Sequence, residues 1–270
     1  MIQDRIFAFI GTGNMGGALA SAVRKAVAGE CIWLCNRTPE KARRLAEALD
    51  ARVTDNLSAA KGADFLFLGV KPHMAPGVLS ELGPILAERP GCVLVSMAAG
   101  LSIAALREMA GCNLPVIRIN PNTPCAVGAG VVMMAADGVD DATLEIFKTA
   151  MAGAGLLDPI DEGLIDAAAA LAGCGPAFAA MFIEALADGA VACGLPRAKA
   201  TAYAAQTLAG TAALCMQTGQ HPGALKDAVC SPGGTTIQGV RALERGGFRS
   251  AAMEAVIAAY EKTLALARRK

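Results

Sequence analysis

Short hydrophobic runs, set at intervals and separated by polar or glycine-containing turns, dominate the first half of the chain. Ile6–Ile10, Cys31–Cys35, Phe65–Val70, Cys92–Ser96 and Pro115–Ile119 are nearly continuous in apolar residues. That is the pattern of parallel strands buried on both faces. Helical stretches such as Ala18–Val27 lie between them, and Ser102 is placed to cap another. Val131–Met134 adds a strand and Thr143–Met151 a helix, and Leu156-Leu157 closes the sheet before Pro159. After about residue 160 the alternation stops. Phe178, Met181, Phe182, Ala185 and Leu186 fall at i, i+3, i+4, i+7 and i+8, a helix stripe. Gly173-Cys174-Gly175-Pro176 predicts two helices or one kinked helix there. Pro196 opens a helix reaching about Met216, His221 caps a turn, a short helix lies near Leu225, and a long one starts at Ser250. The expected organisation is an α/β domain over 1–160 followed by an all-α domain over 161–270.

The first strand runs into Gly11-Thr12-Gly13-Asn14-Met15-Gly16 and then a helix. A GxGxxG placed between a strand and a helix is the dinucleotide-binding fingerprint of a Rossmann-type, doubly wound sheet. Gly11 permits the tight turn, Gly13 lets a pyrophosphate reach the backbone, and Gly16 lets helix and strand pack closely. The end of the second strand selects the cofactor. It carries Asn36-Arg37-Thr38, with Lys41, Arg43 and Arg44 beyond, and no acidic side chain to repel a 2′-phosphate. Arg37 offers a planar fork of donors to such a phosphate, so NADP is expected, with NAD as the second choice. Thr38 and Pro39 also read as the start of an ordinary helix. Lys71, Ala98 and Asn120 fall at carboxyl ends of strands, where ligands lie in such folds. Lys71 reads equally as a surface charge.

Late in the chain stands Val229-Cys230-Ser231-Pro232-Gly233-Gly234-Thr235-Thr236, followed by Ile237, Val240 and Leu243 at helical spacing. Ser231 is a good N-cap and Pro232 fits a first helical turn. Gly233 and Gly234 leave the backbone open to another molecule. A helix start of this kind attracts a carboxylate or phosphate through free N–H groups and the helix dipole; a well-capped helix and nothing more is the plain alternative.

Composition narrows the classes. Apolar residues make up 54% of the 270 and charged residues 18%, and Lys+Arg and Asp+Glu balance at 24 each. Nothing points to nucleic acid or an anionic membrane as partner, and so much apolar content without net charge predicts self-association. Nine cysteines occur without a CxxC pair and histidines number only two, so reduced thiols in a cytoplasmic protein are expected and a metal site is not. Turn formers interrupt the long uncharged runs, Gly173, Gly175 and Pro176 in one and Pro121 and Pro124 in another. Neither run reads as a membrane span.

Leu225-Lys226-Asp227, then Ser231-Pro232-Gly233-Gly234-Thr235-Thr236, Leu243-Glu244 and Gly247-Phe248-Arg249 together resemble the signature of pyrroline-5-carboxylate reductases. Gly-Thr-Gly-Asn-Met-Gly at 11–16, Val-Lys-Pro-His at 70–73, Asn-Thr-Pro at 122–124 and Gly-Cys-Gly-Pro-Ala at 173–177 extend the likeness along almost the whole chain. The resemblance implies NAD(P)H-dependent reduction of L-pyrroline-5-carboxylate to L-proline, the last step of proline biosynthesis. It also implies helical domains that interlock into dimers, in some members gathered into decamers. Cofactor contacts are implied from Ile10, Gly11, Thr12, Gly13, Asn14 and Met15, and from Asn36, Arg37 and Asn56. Further contacts are implied from Gly69, Val70, Lys71 and Pro72, and from Met97, Ala98 and Ala99. The substrate carboxylate falls to Ser231, Gly233 and the Gly234-Thr235-Thr236 backbone, with Thr236 also beside the ring nitrogen. Glu162 is implied as a substrate-side acid, although Asp161-Glu162 also reads as helix-start capping. Ala228 stands where some relatives carry Asn, and Cys174 where many carry Ser. A β-hydroxyacid-type dehydrogenase is a rival, but it places a catalytic lysine on the helix after the nucleotide domain. Nothing from Thr149 to Pro196 is Lys, Arg or His. A non-catalytic NADP-sensing module is the other rival.

Overall fold

The computed structural model describes residues 2–267, so residue 1 and residues 268–270, the outer ends of the two expected domains, lie outside it. The described residues form two compact units, 2–173 with 260–267, and 174–259.

The first unit starts with β1 (Phe7–Ile10), α1 (Asn14–Arg24), β2 (Ile32–Cys35), α2 (Pro39–Leu49), β3 (Arg52–Val53) and α3 (Asn56–Gly62). It continues through β4 (Phe65–Leu68), α4 (Ala75–Ala87), β5 (Val93–Ser96), α5 (Ile103–Ala110) and β6 (Val116–Pro121). β7 (Gly130–Asp137), α6 (Asp141–Met151), β8 (Gly155–Pro159) and α7 (Ile165–Ala168) complete it. The strands lie in the order β3-β2-β1-β4-β5-β6-β7-β8. The pairs from β3 to β6 are parallel, and β7 runs antiparallel to β6. The link between β6 and β7 holds only the 3-10 turn Thr123–Val127, too little chain for a parallel crossover, which usually needs a helix. The sheet reverses its winding between β1 and β4, so the loops after these two strands diverge and leave a crevice.

Alternation along the buried strands divides the core into two layers. Phe7, Phe9, Phe65 and Phe67 face one side, where they meet Leu19 and Val23 of α1 and Phe147 of α6. Ala8, Ile10, Leu66 and Leu68 face the other, against Leu79 and Leu82 of α4 and Leu106 of α5. Register partners on β1 and β4 stack ring on ring, Phe7 on Phe65 at 5.0 Å and Phe9 on Phe67 at 4.2 Å between centroids. These stacks fix the spacing of the two strands whose ends form the crevice.

The second unit holds α8 (Gly175–Ala192), α9 (Arg197–Thr218), α10 (Pro222–Ala228), α11 (Thr235–Arg245) and the first part of α12 (Phe248–Ala267). α8 and α9 pack closely through the small side chains Ala187, Ala200 and Ala204, and Phe182 meets Phe248 at 5.2 Å. Large apolar side chains stay uncovered in this chain, among them Met181, Tyr203, Met216 and Met253.

Three sequence readings meet the structure here. The domain boundary expected at 160/161 falls inside the first compact unit, because the 3-10 turn Glu162–Leu164 and α7 pack against sheet elements, with Ile165 fully buried. Gly173-Cys174-Gly175-Pro176 lies where α7 gives way to α8, as the expectation of two helices or one kinked helix has it. Residues Ala169–Gly173 form a π-helical turn that leads into α8, with Pro176 in the first turn of α8, where its missing N–H costs nothing. The run 162–192 is long and apolar enough to cross a membrane by length and composition alone, with a mean hydropathy of 1.6 over 18 of its residues. Third, β3 had no sequence signal, being only two exposed residues long.

Phe67→Ala removes a fully buried ring from the β1–β4 stack. The expected loss of unfolding free energy is about 3–5 kcal/mol, read by urea denaturation at one fixed protein concentration; a loss below about 1 kcal/mol contradicts this account of the core.

Candidate functional site

The crevice at the switch point is a cavity of about 780 Å³ in the first unit. Its floor is made by two loops locked together through glycines. Gly11 has φ +96°, and a Cβ there would lie 2.6 Å from the Gly69 carbonyl oxygen. A Cβ on Gly69 would lie 2.7 Å from the Gly11 oxygen and 2.8 Å from the Met97 methyl. The Gly11 N–H donates to the Cys35 carbonyl at 2.9 Å, and the Gly69 N–H donates to Ile10 at 2.8 Å, so each loop continues the sheet ladder beyond its strand. Gly16 is equally constrained, since its Cβ would sit 2.1 Å from the Gly11 oxygen. Gly13 differs, because its Cβ would meet nothing within 4 Å. The space above Gly13 is therefore open to a ligand. Gly13 is also the N-cap of α1, with no side-chain acceptor for the first-turn amides.

One more group in this loop lacks a partner. Thr12 is buried, and its Oγ1 has no hydrogen-bond partner among the described residues. A buried orphan hydroxyl beside open helix amides fits a phosphate-bearing ligand, which offers acceptor oxygens to both.

Of the expected cofactor contacts, Ile10, Gly11 and Gly13 line the cavity from the first loop, and Gly69, Val70 and Lys71 from the second. Asn36, Arg37 and Asn56 line it as well. Asn36 Nδ2 donates to the Thr38 carbonyl at 3.1 Å, holding the turn that presents Arg37. Arg37 and Lys71 are exposed, and among the described residues neither pairs with a carboxylate. Asn14 and Met15 form the first turn of α1, and Pro72 opens a 3-10 turn after Lys71. Met97, Ala98 and Ala99 follow β5 and do not line this cavity, although the Met97 methyl abuts Gly69.

The cavity also holds what the sequence did not reveal. Asp55 lines it, so an acidic side chain is present after all, one strand further on than expected. It is committed elsewhere: its two oxygens accept from the Ser58 N–H at 2.8 Å and the Ser58 hydroxyl at 2.7 Å, capping α3. Those bonds hold the Asp55 carboxyl below the usual carboxylate range. Cys35 lines the cavity too, and burial, then the Asp55 charge, push its thiol up to about 12, so it stays protonated and unreactive.

In the second unit the stretch 231–236 is built differently from expectation. Ser231 is not the helix N-cap. The Gly234 N–H donates to the Ser231 carbonyl at 3.0 Å, and Gly233 has φ +69°, so 231–234 is a β-turn with Pro232 at its second position. Proline followed by a residue with positive φ is the type II arrangement, and it delays the helix by three residues. α11 therefore starts at Thr235 with Gly234 as N-cap, and no side chain caps it. Thr235 and Thr236 sit in its first turn, both exposed, beside open backbone amides.

Glu162, the remaining predicted site residue, is engaged within the first unit. Its Oε1 accepts from the Ile103 N–H at the start of α5 at 2.8 Å and lies 3.3 Å from Arg118 Nη1. Asp161 caps its own turn by accepting from the Gly163 N–H.

Two family models match the chain, one towards each end. Residues 6–100 match a family model described as NADP oxidoreductase coenzyme F420-dependent, and residues 162–266 match pyrroline-5-carboxylate reductase dimerisation. The pyrroline-5-carboxylate reductase of Escherichia coli (strain K12) is 38% identical over 270 residues, covering 97% of this chain and 98% of that one. A solved pyrroline-5-carboxylate reductase from Coxiella burnetii superposes with a TM-score of 0.89 at 32% identity over 97% of this chain and 98% of that one. The Plasmodium falciparum pyrroline carboxylate reductase, solved with NADP bound, gives 0.86 at 31% identity over 98% and 99%. With an open amide-lined crevice in one unit, a turn-delayed helix start in the other, and this likeness along the full chain, the protein belongs to the pyrroline-5-carboxylate reductase family.

Proposed function

We propose that the chain reduces L-pyrroline-5-carboxylate to L-proline with NADPH, the last step of proline biosynthesis, in the cytoplasm, as a homodimer or a decamer of such dimers. The observation that carries this reading is the uncapped start of α11, which offers a small carboxylate a ring of backbone donors in the stretch the family resemblance assigns to substrate. The uncovered apolar surface of the second unit, in the region matching the dimerisation model, supports the oligomer.

Reduction of the cyclic imine places a hydride on the ring carbon of the C=N bond and a proton on the nitrogen. NADPH, when bound, supplies the hydride. The chain's part is to bind and orient. Gly13, the α1 amides and the orphan Thr12 hydroxyl fit the pyrophosphate, and Arg37 fits the 2′-phosphate. Ser231, Gly233 and the Gly234–Thr236 backbone take the substrate carboxylate, and the Thr236 hydroxyl accepts from the protonated ring nitrogen. A substrate that arrives protonated needs no strong acid from the protein; positioning carries the rate, and water restores the proton.

Oxidation of NADPH on addition of pyrroline-5-carboxylate, followed by absorbance, tests the reading directly. Steady turnover with L-proline as product is expected, and NADPH binding without turnover favours the sensing module. Thr236→Ala is expected to lower kcat/KM by about tenfold to a hundredfold. Unchanged kcat and KM remove Thr236 from the mechanism. Arg37→Ala is expected to raise the KM for NADPH by about tenfold and leave that for NADH little changed. Gly13→Ala and Gly16→Ala separate ligand space from packing space. The first should keep the wild-type Tm and lose at least about tenfold in NADPH affinity, because its methyl enters only the open space. The second should lose stability, because its methyl meets backbone.

A further inference from the structure

α5 carries two caps where one would serve. The Ser102 hydroxyl oxygen accepts from the Ala105 N–H at 3.2 Å, an ordinary local cap. The Glu162 carboxylate accepts from the Ile103 N–H at 2.8 Å and comes from 59 residues away in sequence. Its direction is set by Arg118, whose side chain is only 7% exposed. One guanidinium nitrogen lies 3.3 Å from Glu162 and another 2.7 Å from Asp166. As glue between β6 and the 162–168 segment this triad is poorly chosen, because apolar side chains in its place would hold as well or better. An arginine fork does what an apolar residue cannot: it fixes the orientation of a carboxylate.

What that carboxylate fixes is the far end of the loop 97–102. The near end is already tied. The Met97 N–H donates to the Leu68 carbonyl at 3.1 Å, and the Ala98 N–H to the Ser96 hydroxyl at 3.3 Å. Between the two ends the Leu101 N–H donates to the Ala98 carbonyl at 3.3 Å, closing a turn that contains Gly100 at φ +71°, so the anchored ends carry a single compact turn. The geometry points to Arg118 and Glu162 as positioning residues for the cofactor: Arg118 aims Glu162, Glu162 locks the first amide of α5, and the loop Met97–Ser102 is held taut between two anchors. This inference rests on the reading that Met97, Ala98 and Ala99 contact NADPH, and it takes Glu162 off the substrate.

The test compares the full-length protein with Glu162→Ala, which removes the lock, and Glu162→Gln, which keeps an acceptor oxygen without the charge. NADPH affinity is read by fluorescence titration, steady-state constants by the absorbance assay, and loop anchoring by hydrogen exchange of the 98–105 amides. Glu162→Ala should bind NADPH about tenfold more weakly, leave the KM for pyrroline-5-carboxylate unchanged and speed exchange at 103–105. Glu162→Gln should restore NADPH affinity to within about threefold of wild type. Arg118→Met should resemble Glu162→Ala in both binding and exchange. A Glu162→Gln protein that loses about a hundredfold in kcat with NADPH affinity unchanged overturns the inference and returns Glu162 to the substrate. So does a Glu162→Ala protein with unaltered affinity and exchange. If the wild type binds NADPH without reducing pyrroline-5-carboxylate, the proposed activity fails, while titration and exchange still decide the positioning role.

Discussion

A helix start leaves backbone N–H groups that must find an acceptor, and this chain satisfies some of them and withholds partners from others. α3, α5 and α6 are capped by the side chains of Asp55, Ser102 and Asp140. α1 and α11 begin instead at glycines, Gly13 and Gly234, with no side-chain acceptor. Both are eleven residues long, enough to develop a dipole whose positive end sits at the open amides. The nucleotide crevice and the proposed carboxylate site are thus the same device used twice, once in each unit. What surrounds each device differs. At α1 the opening depends on a rigid sheet, since Gly11 and Gly69 must interlock before Gly13 can face open space. At α11 it depends on a four-residue turn whose geometry Pro232 and Gly233 impose locally.

Much of the fold was legible because its strands are buried on both faces and need continuous hydrophobic runs. Ile6–Ile10 and Phe65–Val70 announce β1 and β4 within a residue or two, and Ser102 caps the helix expected of it. The failures share a physical cause, which is that the deciding contact is not local. β3 forms because β2 is beside it, and Asp55 reaches the crevice only through that pairing. Glu162 finds Ile103 and Arg118 across the fold, a contact no spacing rule can foresee. The turn at 231–234 is the opposite case. Its residues allow both a helix start and a type II turn, and only the positive φ at Gly233 chooses between them.

The second unit shows why a single chain is an incomplete object. Its buried side chains, among the described residues, are three alanines, while Met181, Tyr203, Met216 and Met253 remain exposed. Helices apolar on several faces stabilise little by themselves in water, and a second copy is the cover that the dimerisation match implies. The length and hydropathy of the 162–192 run have the same explanation: an interface helix and a membrane helix pass the same compositional test.

The two-device account is tested most directly by a crystal structure of the protein with NADP+ and L-proline bound. The account predicts the proline carboxylate about 3 Å from the backbone amides at the start of α11, and the pyrophosphate on those at the start of α1. A carboxylate held elsewhere, with residues 231–236 bare to solvent, would contradict it.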